Sequence, residues 1–236
     1  MCVLSTVHKF VKYKGKKSQM KNLLIFDLDG TLLDTIADMA VSTNYALSLC
    51  GFPSYEASAY KFFIGNGINK LFERVLPEGE KTSENILLLR QHFLEYYGTH
   101  NSELTIPYPG ITELLQNLQN KGVKLAVASN KYHKATEKLV QYFFPEIEFV
   151  AVFGQREGIP TKPDPTIVYD ILAIAKVDKS DILYIGDSGV DMQTAQNAGI
   201  DAVGVTWGFR PRSEMEAFSP KYIVDKPEEI LTILAT

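Results

Sequence analysis

The sequence predicts an α/β fold, a doubly wound parallel sheet carrying an inserted helical domain. Three observations lead there. Short apolar runs that stop at polar residues alternate with helical patterns through the second half of the chain. A block of about 70 residues after the first run holds helical patterns and no strand pattern. The 236 residues leave room for one large domain, or a core domain with a smaller insertion.

Residues 1–20 carry Lys9, Lys12, Lys14, Lys16 and Lys17 and no acid. They lack the unbroken apolar stretch and small-residue cleavage site of a secretory signal. They read as a basic extension outside the domain, or as a leader ahead of a start at Met20. Leu23-Leu24-Ile25-Phe26 is an apolar run that stops at Asp27, the pattern of a buried parallel strand ending in a loop. Helical segments follow near 36–49, 55–63, 69–76 and 83–97, punctuated by Gly51, Pro53, Gly65, Gly67, Pro77 and Gly79. Residues 35–104 are therefore expected to form a cap over the carboxyl end of the first strand, where open α/β sheets bind ligands. The core, 21–34 with 105–236, continues with strands expected at 123–128, 149–153, 182–185 and 202–205. Helices are expected at 111–119, 135–143, 166–176 and 190–197, which implies right-handed crossovers.

Composition excludes several classes. With 45% hydrophobic and 22% charged residues the chain is neither a disordered tail, a collagen-like fibre nor a disulfide scaffold. No apolar run approaches the roughly 20 residues that cross a bilayer. The net charge of -4 conceals an asymmetry: outside the leader, 19 basic side chains face 28 acidic ones, a net -9. A body that acidic repels nucleic-acid backbones and anionic membranes, so neither is an expected partner. Cys2 and Cys50 lie far apart without CxxC spacing, as in a reduced cytoplasmic protein without a zinc site. His8, His92, His100 and His133 are scattered without metal spacing.

The densest chemistry is Asp27-Leu28-Asp29-Gly30-Thr31 at the tip of the first strand. Side chains two apart in extended chain face one way, so both carboxylates can address one site. Their approach is tolerable with a cation between them or with one protonated. A calcium-loop reading fails, because its sixth position holds Leu32 instead of Gly and its twelfth Asp38 instead of Glu. Later strand ends repeat the theme: Ala128-Ser129-Asn130, Thr161-Lys162-Pro163 just ahead of a helix, and Gly186-Asp187-Ser188-Gly189-Val190-Asp191. Singly, each also reads as a helix cap, a turn or a solvated lysine. Their joint occurrence at successive strand ends points to one site.

In order and context these motifs resemble the haloacid dehalogenase superfamily, from about residue 21 onward, with a helical insertion similar to its C1-type cap. The resemblance implies Asp27 as the nucleophile that forms an aspartyl-phosphate, and Asp29 as general acid, then base. It implies Mg²⁺ held by Asp27, the Asp29 backbone carbonyl and Asp187, with Asp191 a further ligand or a neighbour of the ligands. Ser129 and Asn130 would grip phosphoryl oxygens, and Lys162 would offset the charge. Dehalogenase members lack the second aspartate; Asp29 is present, so phosphatase chemistry is expected. Ile64-Gly65-Asn66-Gly67 with Leu71 and Arg74, and Thr206-Trp207-Gly208-Phe209, resemble phosphoglycolate phosphatase-type members. The expected activity is Mg²⁺-dependent hydrolysis of a small organic phosphate ester by a monomer or homodimer. The alternatives on this scaffold are a phosphosugar mutase, a pyrophosphatase or a nucleotidase. A phosphonate hydrolase would use a cap lysine such as Lys61 or Lys70. From other classes come a phospho-aspartate receiver, which is about half this length and lacks a cap, and a non-catalytic binding protein.

Overall fold

The computed structural model describes residues 21–234; the basic stretch 1–20 lies outside the described residues. Six parallel strands form the central sheet: β1 (Leu23–Phe26), β4 (Lys124–Tyr132), β5 (Phe149–Gln155), β6 (Ile182–Gly186), β7 (Asp201–Val205) and β8 (Tyr222–Val224). Their order is β5-β4-β1-β6-β7-β8. From β1 the chain builds outward through β4 and β5, then returns to the other side of β1 to add β6, β7 and β8. Neighbouring β1 and β6 thus flank the point where the winding reverses, the usual place for a ligand in such sheets.

β1 is central because both its faces are apolar. Leu24 and Phe26 join Leu125, Val127, Leu183, Ile185 and Val203 under α5 (Ile111–Asn120), α6 (His133–Phe143) and α10 (Glu228–Leu234). Leu23 and Ile25 face the other way, with Ala126, Ala128 and Tyr184 under α7 (Thr166–Ala175), α8 (Gly189–Ala198) and α9 (Arg212–Glu216). Strands and helices fall where the sequence places them, with extensions. β4 runs past Ala128 through Ser129 and Asn130, and its pairing with β5 slips between Ala128 and Tyr132. β8, α9 and α10 are too short to carry a periodic signal.

Between β1 and β4 lie α1 (Ile36–Leu49), a 3₁₀ turn at Ala57–Ala59, α2 (Tyr60–Phe63), α3 (Ile68–Val75) and α4 (Ser83–His100). They enclose a separate core that includes Leu47, Tyr60, Phe72 and Phe93. Entry to and exit from this helical segment are paired: β2 (Leu33–Asp34) lies antiparallel to β3 (Ile106–Pro107). The sequence showed no strand there, because two residues are too few for alternation to register. Beside the ribbon, buried Asp38 of α1 accepts Leu104 N at 3.0 Å, Thr105 N at 2.8 Å and Thr105 Oγ1 at 2.7 Å. Among the described residues no helix is long and apolar enough to cross a membrane.

Asp38→Ala leaves those donors without an acceptor. It is expected to lower unfolding stability by about 2–3 kcal/mol in chemical denaturation; a loss under about 0.5 kcal/mol would show that the clip is unimportant.

Candidate active site

The tips of β1, β4 and β6 bring the expected residues together. After β1 the chain turns tightly: the amides of Thr31, Leu32 and Leu33 all donate to Leu28 O, and Gly30 takes φ 86°. A side chain at Gly30 would strike Asp187, since its Cβ would stand 2.5 Å from Asp187 Oδ2. Asp187, at the tip of β6, is buried and accepts Phe209 N at 2.7 Å. Gly208 closes the other side of this slot, where a Cβ would lie 2.4 Å from Asp187 Cβ.

Lys162 enters from the segment before α7. Its Nζ stands 2.9 Å from Asp27 Oδ1 and 2.7 Å from Asp191 Oδ1, and it donates to Ala128 O at 3.0 Å. The contact with Asp27 is close enough for an ion pair but poorly aligned, so Asp27 Oδ1 has no hydrogen-bond partner. Asp191 is already committed. One oxygen pairs with Lys162, and the other takes Ser188 Oγ at 2.5 Å and Ser188 N at 3.2 Å in a capping box at the start of α8.

Three carboxylates in so small a volume oppose one another's ionisation. Burial, then Asp191, push the Asp27 carboxyl up to about 7 against the pull of Lys162. Burial, Asp191 and Asp27 hold Asp187 well above the usual carboxylate range. Burial works against the charge on Lys162, but Asp191 and Asp27 outweigh it and leave the ammonium well above its ordinary value. One oxygen from each of Asp27, Asp187 and Asp191 lies within 4.8 Å of the others. An all-oxygen set of three buried carboxylates, which the one ammonium of Lys162 leaves with excess negative charge, fits a hard divalent cation such as Mg²⁺.

Asp29 belongs to a different neighbourhood. Thr35 Oγ1 donates to its Oδ1 at 2.8 Å, and Lys131 Nζ lies 3.0 Å from Oδ1 and 3.2 Å from Oδ2. Lys131 is nearly buried, with its ammonium 4.9 Å from the centre of the Tyr97 ring. Burial opposes its charge, and Asp29 with Tyr97 overcomes that, raising its pKa above the ordinary value. Sequence reasoning missed Lys131. The only signal was its place directly after Ser129-Asn130, where the slipped β4–β5 pairing sets consecutive buried side chains around one chamber.

That chamber is lined by Asp27, Asp29, Ser129 and Lys131 from the sheet side and by apolar cap residues such as Leu71 and Phe93. Ser129 Oγ accepts Lys131 N at 3.1 Å, which leaves its proton for a ligand. Asn130 departs from expectation: its amide donates to Gly65 O at 3.2 Å and Lys162 O at 3.1 Å, and its Oδ1 accepts Lys162 N at 2.8 Å. Both donors are spent, so this side chain ties the cap and the lysine segment to β4 and has none left for a phosphoryl oxygen. Lys61 and Lys70 are exposed and do not line the chamber. Arg74 is occupied inside the cap by Phe62 O, Phe63 O and Asn66 Oδ1. Phe93 and Tyr97 serve as core and chamber wall at once.

The raised Asp27 pKa sets a sign. Below its unfolded value of 3.8 both states are protonated; between 3.8 and about 7 the metal-free native state binds the extra proton, so stability falls as pH rises. Metal-free Asp27→Asn should therefore gain stability relative to wild type from about pH 4 to 7 in thermal melts. A constant difference across that range would contradict the assigned environment.

The haloacid dehalogenase-like hydrolase family matches residues 24–205. A phosphoglycolate phosphatase of Psychrobacter arcticus is 32% identical over 212 residues, which are 87% of this chain and 92% of that protein. A phosphoglycolate phosphatase of Vibrio parahaemolyticus is 29% identical over 218 residues, 90% of this chain and 96% of its own. The crystal structure of a Lactobacillus delbrueckii subsp. bulgaricus protein, 33% identical, superposes with a TM-score of 0.86 over 92% of this chain and 99% of that one. With a sheet, a reversal point and a carboxylate cluster of this kind, and a family match over most of its length, the chain belongs to the haloacid dehalogenase-like hydrolases.

Proposed function

We infer that this hydrolase is a Mg²⁺-dependent phosphatase that cleaves a small phosphate monoester through an aspartyl-phosphate, with 2-phosphoglycolate as the preferred substrate. The observation that carries the reading is the division of labour between two neighbouring carboxylates. Asp27 sits among buried acids beside Lys162, while Asp29 is held by Thr35 and Lys131 at the chamber that a leaving group would occupy.

Phosphate esters resist attack, so the protein must supply a nucleophile, an acid and charge stabilisation. An Asp27 oxygen attacks phosphorus as the bond to the leaving oxygen breaks, and Asp29 gives that oxygen its proton. Asp29 then takes a proton from water, whose oxygen displaces Asp27 from phosphorus and frees inorganic phosphate. Lys131 and Thr35 fix the direction of the Asp29 carboxyl. Ser129 Oγ and the Lys162 ammonium serve the phosphoryl oxygens. Asp27, the Asp29 backbone carbonyl and Asp187 would hold Mg²⁺, with Asp191 behind them as the partner of Lys162. When bound, Mg²⁺ supplies the positive charge that keeps Asp27 ionised and offsets the charge of the phosphoryl group. The chamber is narrow and largely apolar beyond Asp29, which suits a small leaving group. The choice of 2-phosphoglycolate is supported by the curated relatives, which are phosphoglycolate phosphatases.

A panel of 2-phosphoglycolate, pyrophosphate, nucleotides and hexose phosphates, read by phosphate release, tests the assignment; the highest kcat/KM is expected on 2-phosphoglycolate. Asp27→Asn should fall to background on every ester, and Asp29→Asn should lose about 10²–10⁴-fold in kcat. Full activity of purified Asp27→Asn would refute the mechanism. Chelation should abolish turnover, Mg²⁺ should restore it, and Ca²⁺ should not, because its larger, looser shell misplaces the nucleophile. Recovery in Ca²⁺ to the Mg²⁺ level would count against the proposed ligand set.

A further inference from the structure

The segment Trp207-Gly208-Phe209-Arg210, just after β7, touches the loops of the site and the cap in four successive residues. Trp207 Nε1 donates to Thr31 O at 3.0 Å, bracing the turn that carries Asp27 and Asp29. Gly208 admits Asp187 by having no side chain, as its Cβ would lie 2.4 Å from Asp187 Cβ and 2.3 Å from Gly30 O. Phe209 gives its amide to Asp187 Oδ2 and buries its ring in the apolar core of the cap. Arg210, its side chain only 11% exposed, reaches across from the sheet domain to donate to Lys61 O at 2.8 Å and Ile64 O at 2.7 Å.

Those two carbonyls mark the end of α2, directly before the Gly65–Gly67 turn that lines the chamber. The last carbonyls of a helix lack partners within it. A guanidinium holds its five N–H donors in a rigid planar fork, so two separate nitrogens each meet one of these carbonyls, a spread that the single nitrogen of an ammonium does not reproduce. Arg74 serves the intervening Phe62 and Phe63 carbonyls from within the cap. Arg210 therefore reaches the turn from the sheet side, with Asn130 on Gly65 O as its only companion there among the described hydrogen bonds. Its ion-pair partner Glu214 holds it at one end, with Oε2 3.8 Å from Nε, while Glu214 Oε1 accepts Gly189 N at 2.9 Å.

We propose that Arg210 is a positioning residue that holds cap residues 61–67 closed over the site and, through Phe209 and Gly208, couples that closure to the seat of Asp187. Lifting the cap breaks both Arg210 bonds and pulls on the ring of Phe209, whose backbone is the donor to Asp187. The acid cluster is fully seated only beneath a closed cap. The kinetic half of this proposal rests on the phosphatase reading above; the structural half does not.

The test compares full-length wild type, Arg210→Ala and Arg210→Lys by amide hydrogen exchange and by kinetics on 2-phosphoglycolate with Mg²⁺. Arg210→Ala should speed exchange in 61–67 and at the Phe209 amide by about tenfold, the scale of losing charge-assisted hydrogen bonds, and leave α4 unchanged. It should raise KM by about tenfold with a smaller fall in kcat. Arg210→Lys, which keeps the charge without the fork, should resemble Arg210→Ala in both readouts. Unchanged exchange in 61–67, or Arg210→Lys matching wild type, would overturn the proposal. If wild type hydrolyses no ester on the panel, the phosphatase reading fails and the exchange result still decides the role of Arg210.

Discussion

The charge on Lys162 is the interaction on which the site depends. Its side chain and that of Asp191 are almost wholly buried, and it must answer Asp27 at 2.9 Å and Asp191 at 2.7 Å while Asp187 lies close by. A single ammonium cannot balance three buried carboxylates, and an unbalanced buried charge is costly or takes up a proton. The raised pKa values of Asp27 and Asp187 record that imbalance. A second positive charge at the tips of β1 and β6 would remove it.

Much of the surrounding sequence makes this crowding sterically possible. Gly30 and Gly208 flank Asp187, and a Cβ at Gly186 would come within 2.3 Å of the Asp191 side chain. Asp191 caps α8 and pairs with Lys162 through different oxygens, so one residue fixes a helix start and a buried lysine together. Lys131 and Thr35 perform a parallel service for Asp29. Because Thr35 is the residue before α1, the direction of that carboxyl is set where the chain enters the helical segment.

The legible part of the site was the part held by strand ends. Asp27, Lys162 and Asp187 follow or precede apolar runs, and backbone periodicity alone sends them to one edge of the sheet. Lys131 escaped because a lysine after a strand is usually solvated, and the slip in β4–β5 pairing that buries it leaves no mark on composition. The part Asn130 plays in tying the cap and the lysine segment to β4 was not legible, because the sequence cannot show that Gly65 O and Lys162 O, brought near by the fold, consume its side-chain donors. Arg210 bonds backbone carbonyls nearly 150 residues away, a contact with no side-chain signature. Trp207 stood out in the sequence as part of a motif, yet its task, bracing Thr31 O, depends on the return of the chain after β7.

The central claim is that a divalent cation replaces protons in a cluster that cannot otherwise ionise. Calorimetric titration of Mg²⁺ into the metal-free protein at pH 6, in buffers of different ionisation enthalpy, measures this directly. The account predicts binding accompanied by proton release, because burial and the neighbouring acids push the Asp27 carboxyl up to about 7 without metal, and a release that shrinks as the pH rises. Absence of Mg²⁺ binding, or binding with no proton release at pH 6, would contradict it.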